Sequence, residues 1–171
     1  MDVRPALRLL LGGATLCCCV SLPAQAAPRE HAAALQGTVT QVLDGESLVF
    51  TPTGQAPITV RLRDIDAPLP CQDHGAEARK ALAELALQRP ATLQPRGRDG
   101  QGRTLGAVQV AGVDLATHQV EEGHAWSQRV KWDNGPLVKQ ERMARALTRG
   151  LHAGGTAIKP ADFRRSHGPC L

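Results

Sequence analysis

The chain has 171 residues, a net charge of +4 and 42% hydrophobic residues. That length predicts one domain, and the ordinary hydrophobic share allows it a real core. Two Trp, two Phe and no Tyr exclude an aromatic core, so Leu, Val, Ile and Ala must build it. The positive balance suits a polyanion partner without identifying one.

The first 26 residues read as a segment outside the fold. Arg4 and Arg8 precede an apolar run from Leu9 to Val20 that is too short to span a bilayer comfortably. Ala24-Gln25-Ala26 has the small-x-small pattern of a cleavage site. These features predict a signal peptide over 1–26, cut after Ala26, with an uncleaved anchor or a buried helix as the alternative. A periplasmic or secreted protein is expected, without stable membrane association after cleavage. Leu16 stands before Cys17 where a lipobox needs a small residue, which argues against lipid attachment. Cleavage leaves Cys71 and Cys170, and an even count in an exported chain predicts a disulfide between them. The alternative is two free thiols.

Residues 27–36 read as a flexible leader, 37–165 as the domain and 166–171 as a C-terminal tail. Alternation and β-branched residues predict strands over 37–42, 46–52 and 58–65, joined by turns at Asp44-Gly45 and Thr53-Gly54-Gln55. Ala78, Leu82, Leu85 and Ala86 recur at helical spacing, predicting a helix over 76–88 that Pro90 stops. A short strand over 91–95, a loop over 96–102 and a strand over 104–110 follow. Helices are expected over 113–122, closed by Gly123, and over 136–149, opened by Pro136 and closed by Gly150. Five short strands and three helices in this order suggest an α+β domain built on a small closed barrel of oligonucleotide-binding (OB) type, which the strand count alone does not distinguish from another α+β layer.

The chemistry gathers in two segments. Asp44-Gly45-Glu46-Ser47 follows the first strand, and Arg61-Leu62-Arg63-Asp64-Ile65-Asp66-Ala67-Pro68 ends the third. A turn acid, a strand arginine and a strand-end acid are suited to one divalent cation and one phosphate. Hard cations take several oxygens, and a planar guanidinium matches phosphate. Arg63 and Asp64 read as outer-face charges. No zinc spacing, Gly-rich phosphate loop, Gly-x-Ser-x-Gly elbow or Cys-His arrangement stands out.

With these segments placed, the chain resembles the staphylococcal nuclease (thermonuclease) family. The resemblance is carried by residues 37–47, 60–68, Gly75-Ala-Glu-Ala, Asp99-Gly-Gln-Gly-Arg103-Thr-Leu-Gly and Val120-Glu-Glu-Gly-His-Ala-Trp126. It implies calcium-assisted hydrolysis of DNA or RNA. It implies that Arg61 and Arg103 hold the scissile phosphate. Glu46 and Asp66 would be carboxylate ligands of Ca2+, with the backbone carbonyl of Ala67 as a third. Arg129 and Lys131 fall at substrate-binding positions.

The chain departs from the family pattern at several points. Glu46 stands where the family has Asp, which keeps the charge and adds a methylene. Leu69 stands where the family has the glutamate that activates water, and a leucine takes no proton. Gln101, Arg129 and Lys131 replace tyrosines, removing stacking that contributes about 1–3 kcal/mol per base where it occurs. Trp132 is the candidate exposed stacking residue and Trp126 a core residue. Near Leu69, Asp73 reads as a helix cap, His74 as exposed loop and Glu77 as a solvated first-turn acid. Two functions follow as expectations: a weak exported nuclease, or an inactive barrel that binds nucleic acid, another polyanion or a protein.

Overall fold

The computed structural model describes residue 1 and residues 33–129, 132–133, 135–155 and 157–170. The signal-peptide expectation therefore lies outside the described residues, as does Lys131. The chain divides into Met1–Glu30 and His31–Leu171, and every element below belongs to the second unit.

The strands are β1 (Leu35–Val42), β2 (Ser47–Pro52), β3 (Ile58–Leu62), β4 (Ile65–Asp66), β5 (Pro90–Arg98), β6 (Thr104–Val110), β7 (Val113–Asp114) and β8 (Trp126–Ser127). The helices are α1 (Gly75–Ala86), α2 (Leu115–Glu121), α3 (Val138–Ala146) and α4 (Pro160–His167), with a 3-10 turn at Gly150–His152. The order β3-β2-β1-β5-β6 closes on itself through a parallel β3–β6 pairing, giving the expected five-stranded mixed barrel. Closure removes the unpaired edges that an open sheet of this size would present. β7 extends β6, and β4 and β8 form a separate ladder.

The barrel is filled by Val39, Leu48, Phe50, Val60, Leu62, Leu93 and Val108, each fully buried. Leu82 of α1 and Leu115 of α2 cap the same apolar cluster. Aliphatic side chains do most of the filling, as the shortage of aromatics requires. Trp126 is 2% exposed and belongs to the interior, whereas Trp132 is 96% exposed.

Several boundaries differ from expectation. β1 begins at Leu35, because Leu35 and Gln36 pair with Leu93 and Thr92 of β5 and so are not leader. The strand expected over 58–65 breaks at Arg63-Asp64, where Asp64 turns the chain with φ 69°. β5 runs to Arg98 through a bulge near Pro95, absorbing half of the expected loop. Asp114, not Val113, opens α2: its Oδ1 accepts from the Thr117 amide at 2.8 Å. Asp73 does not cap α1. His74 occupies that position in a left-handed conformation, with no side-chain cap. The sequence reading reached three helices; α4 adds a fourth, opened by Pro160.

The expected disulfide is present. Cys71 and Cys170 are bonded, 99 residues apart. Gln72 adds a second tie to the same C-terminal region, donating its Nε2 to the Ile158 carbonyl at 2.5 Å.

Candidate active site

The site starts from a turn. The Asp44 carboxylate accepts from the Glu46 amide at 2.8 Å, holding the residues between β1 and β2 in a tight bend. The Glu46 carbonyl then accepts from the Leu62 amide at 2.7 Å, seating Glu46 against β3. Gly45 must lack a side chain, since a Cβ there would meet the Cβ atoms of Ala67 and Ala78 at 2.8 Å. The turn is thus pressed between the segment after β4 and helix α1.

Register does the rest. Ser47 pairs with Arg61 across β2–β3, and Arg61 pairs with Leu105 across the parallel β3–β6 seam. Arg103, two residues before Leu105, therefore lies beside the same strand end. The Arg61 Nε donates to Glu46 Oε1 at 2.8 Å, and its Nη2 reaches Glu46 Oε2 at 3.2 Å. The same Nη2 donates to Asp66 Oδ1 at 3.0 Å and to the Ile65 carbonyl at 3.2 Å. The Ala67 amide donates to Glu46 Oε2 at 3.0 Å. Arg103 joins through Ser47, donating from Nη1 to its Oγ at 3.0 Å, while its Nε is held by Asp99 Oδ2 at 2.7 Å. Arg61, Glu46, Asp66 and Arg103 thus share one end of the barrel. Among the described residues, one terminal nitrogen of each arginine has no hydrogen-bond partner.

The electrostatics follow from partial burial. Burial pushes the Glu46 carboxyl above its ordinary value, against the hydrogen bond and charge of Arg61. Burial alone would lower Arg61, but its bond to Glu46 and the charges of Glu46 and Asp66 hold the guanidinium above its ordinary value. Partial desolvation raises Asp99, and its bonds to Arg103 and to backbone amides outweigh that, leaving it below its ordinary value.

The donor set at Glu46, Asp66 and the Ala67 carbonyl is all oxygen, which suits a hard cation such as Ca2+. It is a sparse set. Among the described residues no three His, Cys, Asp or Glu side chains gather as a metal cluster. Both oxygens of Glu46 are engaged by Arg61 and Ala67, so a cation would have to share them. Asp66 keeps one oxygen without a partner among the described residues and its side chain is 34% exposed.

Leu69, three residues after Asp66, is half-buried, its amide donating to Gln72 Oε1 at 3.2 Å. A side chain at Gly75 would overlap its carbonyl oxygen, so the loop after Pro68 packs closely on the start of α1. Glu77 and Asp73 are exposed. His74 is not exposed loop, as expected, but half-buried: its Nε2 lies 3.2 Å from Nδ1 of His124, with the rings stacked. His74 is thus paired with His124, and Asp73 and Glu77 face solvent. Gln101 and Arg103 line a cleft of about 270 Å³ with Thr59 and Arg98. Arg129 is exposed and bound to Glu141.

One supporting residue escaped the sequence reading. Gln119 is fully buried and its Nε2 donates to the Gly45 carbonyl at 2.9 Å and the Ala78 carbonyl at 3.0 Å. It ties the site turn to α1 from the inner face of α2. The signal was present: Gln119 is the single polar residue in the buried stripe Leu115, Ala116, Gln119 and Val120.

Comparison with known proteins agrees with this fold. Residues 59–153 match the family model described as staphylococcal nuclease homologue. The chain is 32% identical over 128 residues to an uncharacterized endonuclease of Haemophilus influenzae, covering 74% of this chain and 71% of that protein. It is 33% identical over 142 residues to the micrococcal nuclease of Shigella flexneri, covering 77% and 81% respectively. Protein ParB of Escherichia coli is also 33% identical, over 145 residues, with 78% and 81% covered. These matches show that the chain belongs to the staphylococcal nuclease homologue family.

Proposed function

We propose that the protein is an exported phosphodiesterase that hydrolyses DNA or RNA slowly and with calcium. The observation that carries this reading is the Arg61 guanidinium held between Glu46 and Asp66, with Arg103 tied to the same strand end through Ser47. Glu46, Asp66 and the Ala67 carbonyl would hold the calcium, which when bound supplies Lewis-acid polarisation of the phosphoryl oxygens.

The chain's own residues do the rest. Arg61 and Arg103 bind the scissile phosphate and stabilise the charge that develops on its oxygens. The oxygen of a water molecule bonds to phosphorus, the bond from phosphorus to the leaving oxygen breaks, and that oxygen takes a proton from solvent. The water's proton goes to solvent, because Leu69 accepts none. Loss of a positioned base costs roughly 10²–10⁴-fold in rate. Arg129 and Lys131 would contact the nucleotide strand in place of stacking tyrosines.

A second reading is a binding module without catalysis. It is favoured by the closed state of Glu46, whose oxygens are both engaged by Arg61 and Ala67. A plasmid-nicking assay with calcium, with EDTA and with Arg61→Ala separates the two. Calcium-dependent nicking lost in Arg61→Ala supports the enzyme. No nicking by folded protein at high concentration overturns it.

A further inference from the structure

We infer that Ser47 is a positioning residue for Arg103: its hydroxyl fixes the orientation of the guanidinium and leaves Nη2 as the open donor at the strand end that carries Arg61. The inference rests on the nuclease reading above and deepens it, because neither the strand pattern nor the resemblance gives residue 47 a role.

Arg103 closes a tight loop. The Asp99 amide donates to the Arg103 carbonyl at 3.0 Å, and Asp99 Oδ1 accepts from the Gln101 and Arg103 amides, each at 2.9 Å. Asp99 Oδ2 then accepts from Arg103 Nε at 2.7 Å. That side-chain contact alone leaves the guanidinium free to pivot about it. The second contact, from Nη1 to Ser47 Oγ at 3.0 Å, comes from 56 positions away. A rigid planar group held through two of its nitrogens has one orientation. Here Nη2 is the nitrogen without a partner among the described residues.

Ser47 is fully buried, and the bond from Arg103 is the one its hydroxyl makes among the described residues. A buried hydroxyl is costly where nothing pairs with it, so an apolar residue of similar size would suit the barrel wall better. Nor does the charge of Arg103 need Ser47, because Asp99 already meets it with a side chain that is 12% exposed. What the hydroxyl adds is direction.

The rest of Ser47 is fixed to the same site. Its carbonyl accepts from the Leu43 amide at 2.9 Å, closing the turn that carries Glu46. It stands opposite Arg61 across β2–β3, and directly opposed side chains of antiparallel strands share one face with Cβ atoms roughly 5 Å apart. One residue thereby sets Arg103 relative to Arg61, the two guanidiniums that the proposed reaction uses on one phosphate.

The test compares Ser47→Cys, which keeps the size but replaces a good acceptor with a weak one, and Ser47→Thr, which keeps the hydroxyl on a side chain that suits a strand. In calcium-dependent nicking Ser47→Cys should lower kcat about 10-fold and leave KM nearly unchanged, as loss of a bond that supports a transition-state contact does. Ser47→Thr should keep most of the rate. In an Arg103→Ala background Ser47→Cys should cost nothing further, since it acts only through Arg103.

A second readout needs no turnover: NMR of the nitrogen-labelled protein. A guanidinium that cannot rotate shows its terminal nitrogens as separate resonances. Ser47→Cys should merge those of Arg103 at temperatures where the native protein and Ser47→Thr still resolve them. Ser47→Ala is read in the same way if Ser47→Cys does not fold. Arg103 resonances that stay resolved in the folded variant would overturn the inference, as would an equal loss of rate in the Arg103→Ala background. Native protein that never nicks plasmid, with the NMR result as expected, sinks the nuclease reading and leaves Ser47 as the residue that orients Arg103.

Discussion

The Arg61 Nε and the Glu46 Oε1 lie 2.8 Å apart, although the residues are 15 positions apart in sequence. The acid and the guanidinium that the site would use separately, one for a cation and one for phosphate, are each other's partners in the free protein. On the proposed reading, a cation held by Glu46 would have to share its carboxylate with Arg61.

Removing the guanidinium exposes that coupling. Arg61→Ala should lower nicking by about 10²–10³-fold, as loss of a transition-state donor does. It should also destabilise the fold by about 3 kcal/mol, since Glu46 keeps its buried position without its partner. Urea unfolding followed through buried Trp126 measures the second effect. A smaller loss in the double variant Arg61→Ala/Glu46→Ala than in Arg61→Ala would assign the cost to the stranded carboxylate.

Leu69→Glu should raise the calcium-dependent nicking rate by roughly 10²-fold or more, because it restores a proton acceptor at the expected position. The single-turnover rate, compared at equal calcium, is the measurement. No gain in a folded variant would mean that the rest of the site is not competent.

The pH dependence has a definite sign. Burial raises Glu46 above its ordinary 4.5, so the unfolded chain ionises first. The Glu46 contribution to stability is thus fully present below 4.5 and declines as pH rises through the folded value. Glu46→Gln should remove that decline in urea midpoints measured across the acid range. Calcium needs the ionised form, so its affinity in titration calorimetry should fall with acidification at a higher pH than an ordinary glutamate would give.

Reduction of Cys71–Cys170 should destabilise the fold. A loop of this length gives about 4 kcal/mol in the chain-entropy account, and engineered cases often less. Cys71→Ser/Cys170→Ser should lower the urea midpoint, and dithiothreitol should do the same to the native protein and nothing further to the variant.

Gln119→Leu should leave the Gly45 carbonyl without its buried donor, at a cost of roughly 1–3 kcal/mol. Because the turn carries Glu46, calcium affinity should fall as well. Gln119→Glu, which keeps the shape but turns donors into acceptors, should be at least as damaging. A loss of stability with unchanged calcium affinity would make Gln119 structural only.

Much of this was legible in the chain. Alternation fixed the strands of the barrel, helical spacing fixed α1, and an even cysteine count anticipated the disulfide. The pattern of the third strand placed Arg61 and Asp66 toward its end, and the resemblance singled out Arg103. What local pattern missed was set by neighbours. Asp64 breaks the third strand with a left-handed turn that no alternation announces. His74, not Asp73, takes the cap position of α1, and its ring stacks on His124, 50 residues away.

The sequence by itself determined which groups are available: two arginines and two acids near strand ends, and no proton acceptor at residue 69. Only the tertiary structure decided how they are paired. Closure of the barrel through β3 and β6 brings Arg103 to the strand end of Arg61. The β4–β8 ladder sets Ser127, whose amide donates to Glu141, opposite Ile65. Those juxtapositions depend on contacts between residues far apart in the chain, and charge pairing responds to distance and burial, which no local stretch of sequence encodes.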